Sequence, residues 1–160
     1  MRVVFLDIDG VLNHWEYLKR MKASGVRSRG CTTESHIDPD CVGRLNGLLS
    51  RSNAKVVVSS TWRILHSIES LQETLEAKGF EGDIIDFTTT EDLGSRGAQI
   101  NAWLESHDDI ESFVIIDDDG DMGTLRPYWV QTSLFEGGIK DEHVEEAMQV
   151  LGFDSPDPLG

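Results

Sequence analysis

Five short apolar runs recur along the chain, and between most of them the hydrophobic spacing switches to that of a helix. The runs are Arg2–Leu6, Lys55–Ser59, Asp83–Phe87, Ser112–Ile116 and Tyr128–Thr132. Each is too short for a helix, and the more apolar of them are continuous rather than alternating, as in strands buried on both faces. Between them, Val42, Leu45, Leu48 and Leu49 share one helical face, with Asp38 and Pro39 in front as N-cap and first helical residue. Trp62, Leu65, Ile68, Leu71 and Leu75 read as one further helix closed by Gly79, and Ser95 caps another whose face is Ile100, Trp103 and Leu104. A last helix carries Val144, Ala147, Met148 and Leu151. Strands alternating with helices imply an α/β fold, a mainly parallel five-stranded sheet covered on both sides. The 160 residues suffice for one core, so a single domain is expected over residues 1–153, with a loose tail at 154–160. Residues 14–37 break the alternation. They are polar and basic, and are expected to form a lid or binding insertion.

Charge narrows the partners. The net charge of −15 opposes non-specific binding to nucleic acid or to an anionic membrane, and no apolar run approaches the roughly 20 residues a membrane helix needs. The strand-like, acidic start is not a signal peptide, so a cytoplasmic protein is expected. Cys31 and Cys41 have no metal-ligand spacing; two free thiols are expected rather than a disulfide. The charge is uneven. Lys19, Arg20, Lys22, Arg27 and Arg29 fall in a stretch with no acidic residue, which is either a solvated loop or a local site for an anionic substrate.

Acidic and hydroxyl residues collect where the expected strands end. The first run ends on Asp7 and Asp9, the second on Ser59 to Arg63 ("SSTWR"), the fourth on Asp117 to Asp121 ("DDDGD"). In open parallel sheets the site lies at the carboxyl ends of the strands, where the strand order reverses. Neighbouring first and fourth strands would bring Asp7, Asp9, Asp117 and Asp118 together. Like charges so close need a cation, and hard oxygen ligands with room for water and phosphate suit Mg²⁺. A lone Asp-x-Asp-Gly is usually a turn. A calcium loop fails on spacing: counted from Asp117, its glycine position is Met122 and its closing glutamate position is Tyr128.

These segments resemble the haloacid dehalogenase-like phosphatase superfamily. "DIDGV" is similar to its first motif, "VVVSS" to its second and "IIDDDGD" to its fourth. The third motif normally carries a lysine; here Arg96, in "GSRGAQI", stands in its place, and no lysine lies between Lys78 and Lys140. More narrowly, "SSTWR" and "RGAQINAWL" resemble the small phosphatase domains of bacterial, phage and RNA-repair proteins, which are similar to the phosphatase half of polynucleotide kinase-phosphatase. The resemblance implies a Rossmann-like three-layer sandwich with strand order 3-2-1-4-5. It further implies a Mg²⁺-dependent phosphomonoesterase working through an aspartyl-phosphate. Asp7 would be the nucleophile and Asp9 the general acid and base. Mg²⁺ would be held by Asp7, Asp117 and the Asp9 carbonyl, with Asp118 and Asp121 nearby or through water. Ser60, or else Ser59, would bind the phosphoryl oxygens, and Arg96 would add positive charge.

Other residues keep two readings. Arg63 clasps a phosphate or is a surface arginine. Trp62, Trp103 and Trp129 are expected in the core; Trp15 is a packed lid residue or a platform for a base. His14 is a neighbour of the first motif, and Thr88–Thr90 is expected to be loop. Arg27 and Arg29 are candidates for substrate binding. The substrate is left open between a small phosphate ester and a nucleic-acid end, as is the oligomeric state. The competing function is a non-catalytic phospho-acceptor or binding module on the same scaffold. Receiver domains, however, place the acidic pair after the first strand and the acceptor later, the reverse of this order.

Overall fold

A computed structural model of the chain describes residues 1–25 and 34–153. Five parallel strands form one sheet: β1 (Arg2–Leu6), β2 (Lys55–Val58), β3 (Ile84–Phe87), β4 (Ser112–Asp117) and β5 (Trp129–Gln131). Their order is β3-β2-β1-β4-β5, as expected, so the chain reverses direction across the sheet between β1 and β4. Every strand pair is parallel, not merely most of them.

The two faces of the sheet are both apolar because the side chains of each strand alternate between two cores. Val4, Leu6, Val56, Val58, Val114 and Ile116 pack toward α2 (Pro39–Ser52), α4 (Ile68–Glu76) and α6 (Asp141–Val150). Val3, Phe5, Val57 and Ile115 pack instead against Ile100 and Trp103 of α5 (Arg96–Glu105). Asp38 and Ser95 act as the N-caps expected of them: their side chains accept hydrogen bonds from Asp40 N and Ala98 N.

Two segments depart from the sequence expectation. The single helix expected through Trp62 and Leu75 is two, α3 (Trp62–Leu65) and α4. His66 is extended (φ −130°, ψ 150°), and the Ser67 hydroxyl accepts from Ser70 N to start α4 afresh. A serine able to cap therefore outweighs the continuity of the apolar stripe. The insertion contains a helix, α1 (Trp15–Ala23), none of whose residues is buried. Its neck is pinned: His14 Nε2 lies 2.6 Å from Asp38 Oδ2, with both side chains buried, and Asp38 N donates to Leu12 O. His14 Nδ1 accepts from Tyr17 N, so the proton of the neutral ring sits on Nε2 and is donated to Asp38. His14 thus closes the neck of the insertion and caps α1. Cys41 is a buried free thiol, pushed up to about 12 by burial and by the Asp38 carboxylate; Cys31 lies outside the described residues, as does the tail 154–160.

The N-terminus of α5 is seated against the loop after β4. Gly97 N donates to Asp121 O, and a Cβ on Gly97 would fall 2.3 Å from Met122 O. Alanine would gain roughly 0.5–1 kcal/mol in helix propensity, but a backbone carbonyl cannot swing aside as a side-chain tip can. Overpacking of about 1–3 kcal/mol should win. Gly97→Ala is expected to lower the urea midpoint; an equal or higher midpoint would mean that the loop yields freely.

Candidate functional site

The strand register places the polar strand ends in one row. Leu6 is level with Val58 and with Ile116, so Asp7 stands abreast of Ser59 on one side and Asp117 on the other. Val58 is level with Phe87, so Thr88 extends the row beyond Ser59. All four follow residues that face the opposite core, Leu6, Val58, Phe87 and Ile116, so by alternation their own side chains take the face of α5. The N-terminal residue of α5 is Arg96, which closes the row from above.

The electrostatics are severe. Asp7 is 5% exposed and Asp117 fully buried. Asp7, Asp117 and Asp118 each offer an oxygen within 4.8 Å of the others. Burial, then the charge of Asp117, pushes the Asp7 carboxyl up to about 9, although Arg96 pulls the other way. Asp118 is also raised, chiefly by burial. Arg96 is the one cation in contact among the described residues: its Nη1 lies 2.6 Å from Asp117 Oδ2 and 3.3 Å from Asp7 Oδ1. Burial would pull the Arg96 pKa down, but Asp117 and Asp7 more than offset it. Gly10 is required for the approach of Asp118: its φ is +83°, and a Cβ there would lie 2.4 Å from Asp118 Oδ2.

Asp9 is held apart from this cluster. Its Oδ1 accepts from Asn13 Nδ2 (2.8 Å) and from Trp62 Nε1 (3.2 Å), while Asn13 Oδ1 accepts from Gly10 N. Trp62 is core, as expected, yet its indole N–H reaches the carboxyl. His36, at the end of the insertion, is near enough for Asp9 to raise its pKa against the larger lowering by burial.

The hydroxyls divide clearly. Ser60 Oγ accepts from Trp62 N. Ser59 Oγ and Thr88 Oγ1 are the buried side-chain polar atoms without a hydrogen-bond partner among the described residues, and both lie in the row beside Asp7. Such orphans are costly unless something else satisfies them. Arg63 is neither exposed nor turned to a ligand. Its guanidinium donates to Ser59 O, Ser60 O, Thr88 O, Thr89 O and Gln99 Oε1, stitching the end of β2 to that of β3. Asp121 is exposed and contributes its carbonyl to Gly97. Arg27 and Arg29 lie outside the described residues. Of the described cations of the insertion, Lys19 pairs with Glu16, and Arg20 lies over the Tyr17 ring.

A family model described as the HAD domain in Swiss Army Knife RNA repair proteins matches residues 3–144. The chain belongs to this family. Comparison with curated proteins and with solved structures gives no match. The HAD domain is a phosphatase-type hydrolase scaffold, and such domains typically use Mg²⁺. The residues fit that ion: three hard carboxylates crowd together, one of them held protonated for want of positive charge. Asp7, Asp117 and Asp118 are the side chains that could hold it. No described helix is long and apolar enough to cross a membrane.

In the metal-free HAD domain Asp7 keeps its proton up to about pH 9, whereas in the unfolded chain it ionises near 3.8. Between those values the unfolded state binds fewer protons, so this group lowers stability as pH rises. Asp7→Asn abolishes that dependence. With EDTA present, the variant is expected to be more stable than the wild type at about pH 8 and close to it at about pH 4, by urea unfolding. Mg²⁺ should stabilise the wild type more at the higher pH, because the proton on Asp7 must leave. Parallel pH profiles for the two proteins would mean that Asp7 is already ionised when folded.

Proposed function

We propose that this HAD domain is a Mg²⁺-dependent phosphomonoesterase that works through an aspartyl-phosphate on Asp7 and acts on phosphorylated nucleic-acid ends or nucleotides. The observation that carries the reading is the row itself: a buried carboxylate flanked by two orphaned hydroxyls on one side and a second carboxylate on the other, under an arginine. A phosphoryl group is the ligand whose oxygens accept from hydroxyls and from arginine while its phosphorus faces a carboxylate. The RNA-repair setting of the family supports the nucleic-acid substrate.

The chemistry divides among the chain's own residues. A carboxylate oxygen of Asp7 attacks phosphorus, and the bond from phosphorus to the leaving oxygen breaks. Asp9 gives its proton to that oxygen, so the product leaves as an alcohol. Asp9, now a carboxylate, takes a proton from water as the water attacks phosphorus. The bond to Asp7 breaks, inorganic phosphate leaves, and both acids return to their starting states. Trp62 and Asn13 hold Asp9 at one oxygen and so fix its approach. Ser59 and Thr88 donate to the non-bridging oxygens, and Arg96 opposes the negative charge that grows on them. Bound Mg²⁺ would supply the positive charge that lets Asp7 ionise and would polarise the phosphoryl group. Arg63 positions Ser59 and Thr88 by fixing the backbone on either side of them.

Hydrolysis of p-nitrophenyl phosphate with Mg²⁺ against EDTA tests the reading. Asp7→Asn should abolish steady-state turnover, and Asp9→Asn should lower it about 10²–10⁴-fold and let the aspartyl-phosphate accumulate for mass spectrometry. Activity retained by Asp7→Asn would remove Asp7 as nucleophile.

Arg96→Ala should lose most activity, while Arg96→Lys should keep a substantial part, since charge is the requirement and the forked geometry is not. Ser59→Ala should lower kcat with little change in thermal midpoint, because it removes an unpaired group. Ser60→Ala should instead lower the midpoint, because it frees Trp62 N. The opposite pattern in the two serines would move the phosphate contact to Ser60.

A further inference from the structure

The side of the carboxylate cluster beyond Asp118 opens into a cavity of about 450 Å³. Its wall runs from Asp118 through Gln131, Ser133 and Phe135 to Glu136 and His143. Phe135 is 75% exposed and Trp15 49% exposed, and their ring centroids lie 6.5 Å apart with planes at 54°. Phe135 lines the cavity and Trp15 lies against it, and two large rings left to solvent beside a cavity that begins at Asp118 have no use for a ligand that is phosphate alone.

The backbone that carries the rings is tied to the loop bearing Asp7 and Asp9. Trp15 N donates to Leu134 O at 2.7 Å, which locks the start of α1 to the segment bearing Phe135. Thr132 Oγ1 donates to Gly10 O, and Ile139 N to Val11 O. Gly138, at φ +65°, comes so close to Val11 that a Cβ would lie 2.7 Å from its carbonyl oxygen. The β5–α6 connection and the loop after β1 are therefore one unit, and the backbone that carries the rings keeps a fixed relation to Asp7.

The chemistry of the wall selects the occupant. Among the described residues it carries two carboxylates, Asp118 and Glu136, and no lysine or arginine, which disfavours a second phosphate there. What it does offer is an amide at Gln131, a hydroxyl at Ser133 and the imidazole of His143. The His143 Nδ1 accepts from Lys140 N, which leaves the ring proton on Nε2. Uncharged donors and acceptors beside flat rings suit a neutral heterocycle with a polar edge.

We propose that Trp15 and Phe135 form a platform on which the base nearest the scissile phosphate stacks, its polar edge directed into the cavity behind Asp118. The proposal rests on the phosphomonoesterase reading and adds what that reading lacks, the residues that distinguish a nucleotide from a bare sugar phosphate.

The test compares kcat/KM for adenosine 5′- and 3′-monophosphate with that for ribose 5-phosphate, in the wild type, Phe135→Ala, Trp15→Ala and Trp15→Phe. Binding of the same nucleotides is measured on the Asp7→Asn background, with and without Phe135→Ala. Phe135 is so exposed that its removal should not disturb folding, which circular dichroism checks. The wild type should prefer at least one nucleotide, and the ratio of nucleotide to ribose 5-phosphate should fall roughly ten-fold or more in either alanine variant. Trp15→Phe should restore much of the ratio. A wild type without preference, or a ratio that no variant moves, would overturn the platform and leave the phosphatase reading standing. A wild type that hydrolyses no phosphate ester would defeat the phosphatase reading; the platform would then survive only if Asp7→Asn binds a nucleotide and Phe135→Ala abolishes that binding.

Discussion

Asp7 and Asp117, buried side by side at the ends of adjacent parallel strands, are the constraint around which the rest of this structure is arranged. Neither can be relaxed by moving outward, because each follows directly from a strand whose register is fixed by apolar residues on both faces. The repulsion between them must therefore be met locally. Arg96 meets part of it, with one nitrogen touching both carboxylates, yet Asp7 still holds its proton far above the ordinary range. That imbalance explains the features that bring further parts close. Gly97 lets α5 carry Arg96 down onto the β4 loop, and Gly10 lets Asp118 reach the cluster. A pair of helix and loop approaches that would weaken an ordinary core is retained because the charges cannot be balanced at longer range.

The parallel sheet supplies more than a platform. Because neighbouring parallel strands carry side chains of the same row to the same face, a chain that ends consecutive strands on polar residues produces a line of functional groups without any loop having to find its place. Ser59 and Thr88 owe their positions to this rule. Arg63 then secures the two loops that follow, by occupying their carbonyls, so the orphaned hydroxyls stay aimed into the row instead of turning back to the backbone.

Much of this was legible in the sequence, and the part that was not has a physical cause. The sheet's covered faces follow from the continuous apolar runs, and the strand order that sets Asp7 beside Asp117 is what the family resemblance of their acidic ends implies. Arg96 could be singled out because the expected lysine was missing. Thr88 reads only as loop, because a threonine after a weak, partly polar strand carries no periodic signal; the register of Phe87 with Val58 is what brings it into the row. Trp62 read as core and is core, but a tryptophan has a polar end, and nothing in linear spacing tells where that N–H points. Asn13, two residues beyond the first motif, gives no linear sign of its bond to Asp9 for the same reason. Arg63, between a phosphate clasp and a surface arginine, fits neither, since burial against five acceptors cannot be inferred from its neighbours in sequence. The break between α3 and α4 was visible as Ser67, three residues before Ser70, but the apolar stripe across it was the stronger pattern.

The distribution of charge gives the architecture its last consequence. With a net charge of −15, the body of the protein repels a polyanion as a whole, so a phosphorylated chain can be admitted only where the field is locally reversed. Among the described residues that reversal comes at the row from Arg96, to which a bound cation would add, and screening keeps it local. The wall beyond Asp118 is acidic again. A substrate of the proposed kind would meet two opposed demands there: a dianionic phosphoryl group in the row and an uncharged neighbour next to it. Exposed aromatic rings satisfy the second demand without adding positive charge, which would compete for Asp118. Under the proposed function, the difference in charge on the two sides of Asp118 would favour a terminal phosphate whose neighbour in the cavity is uncharged.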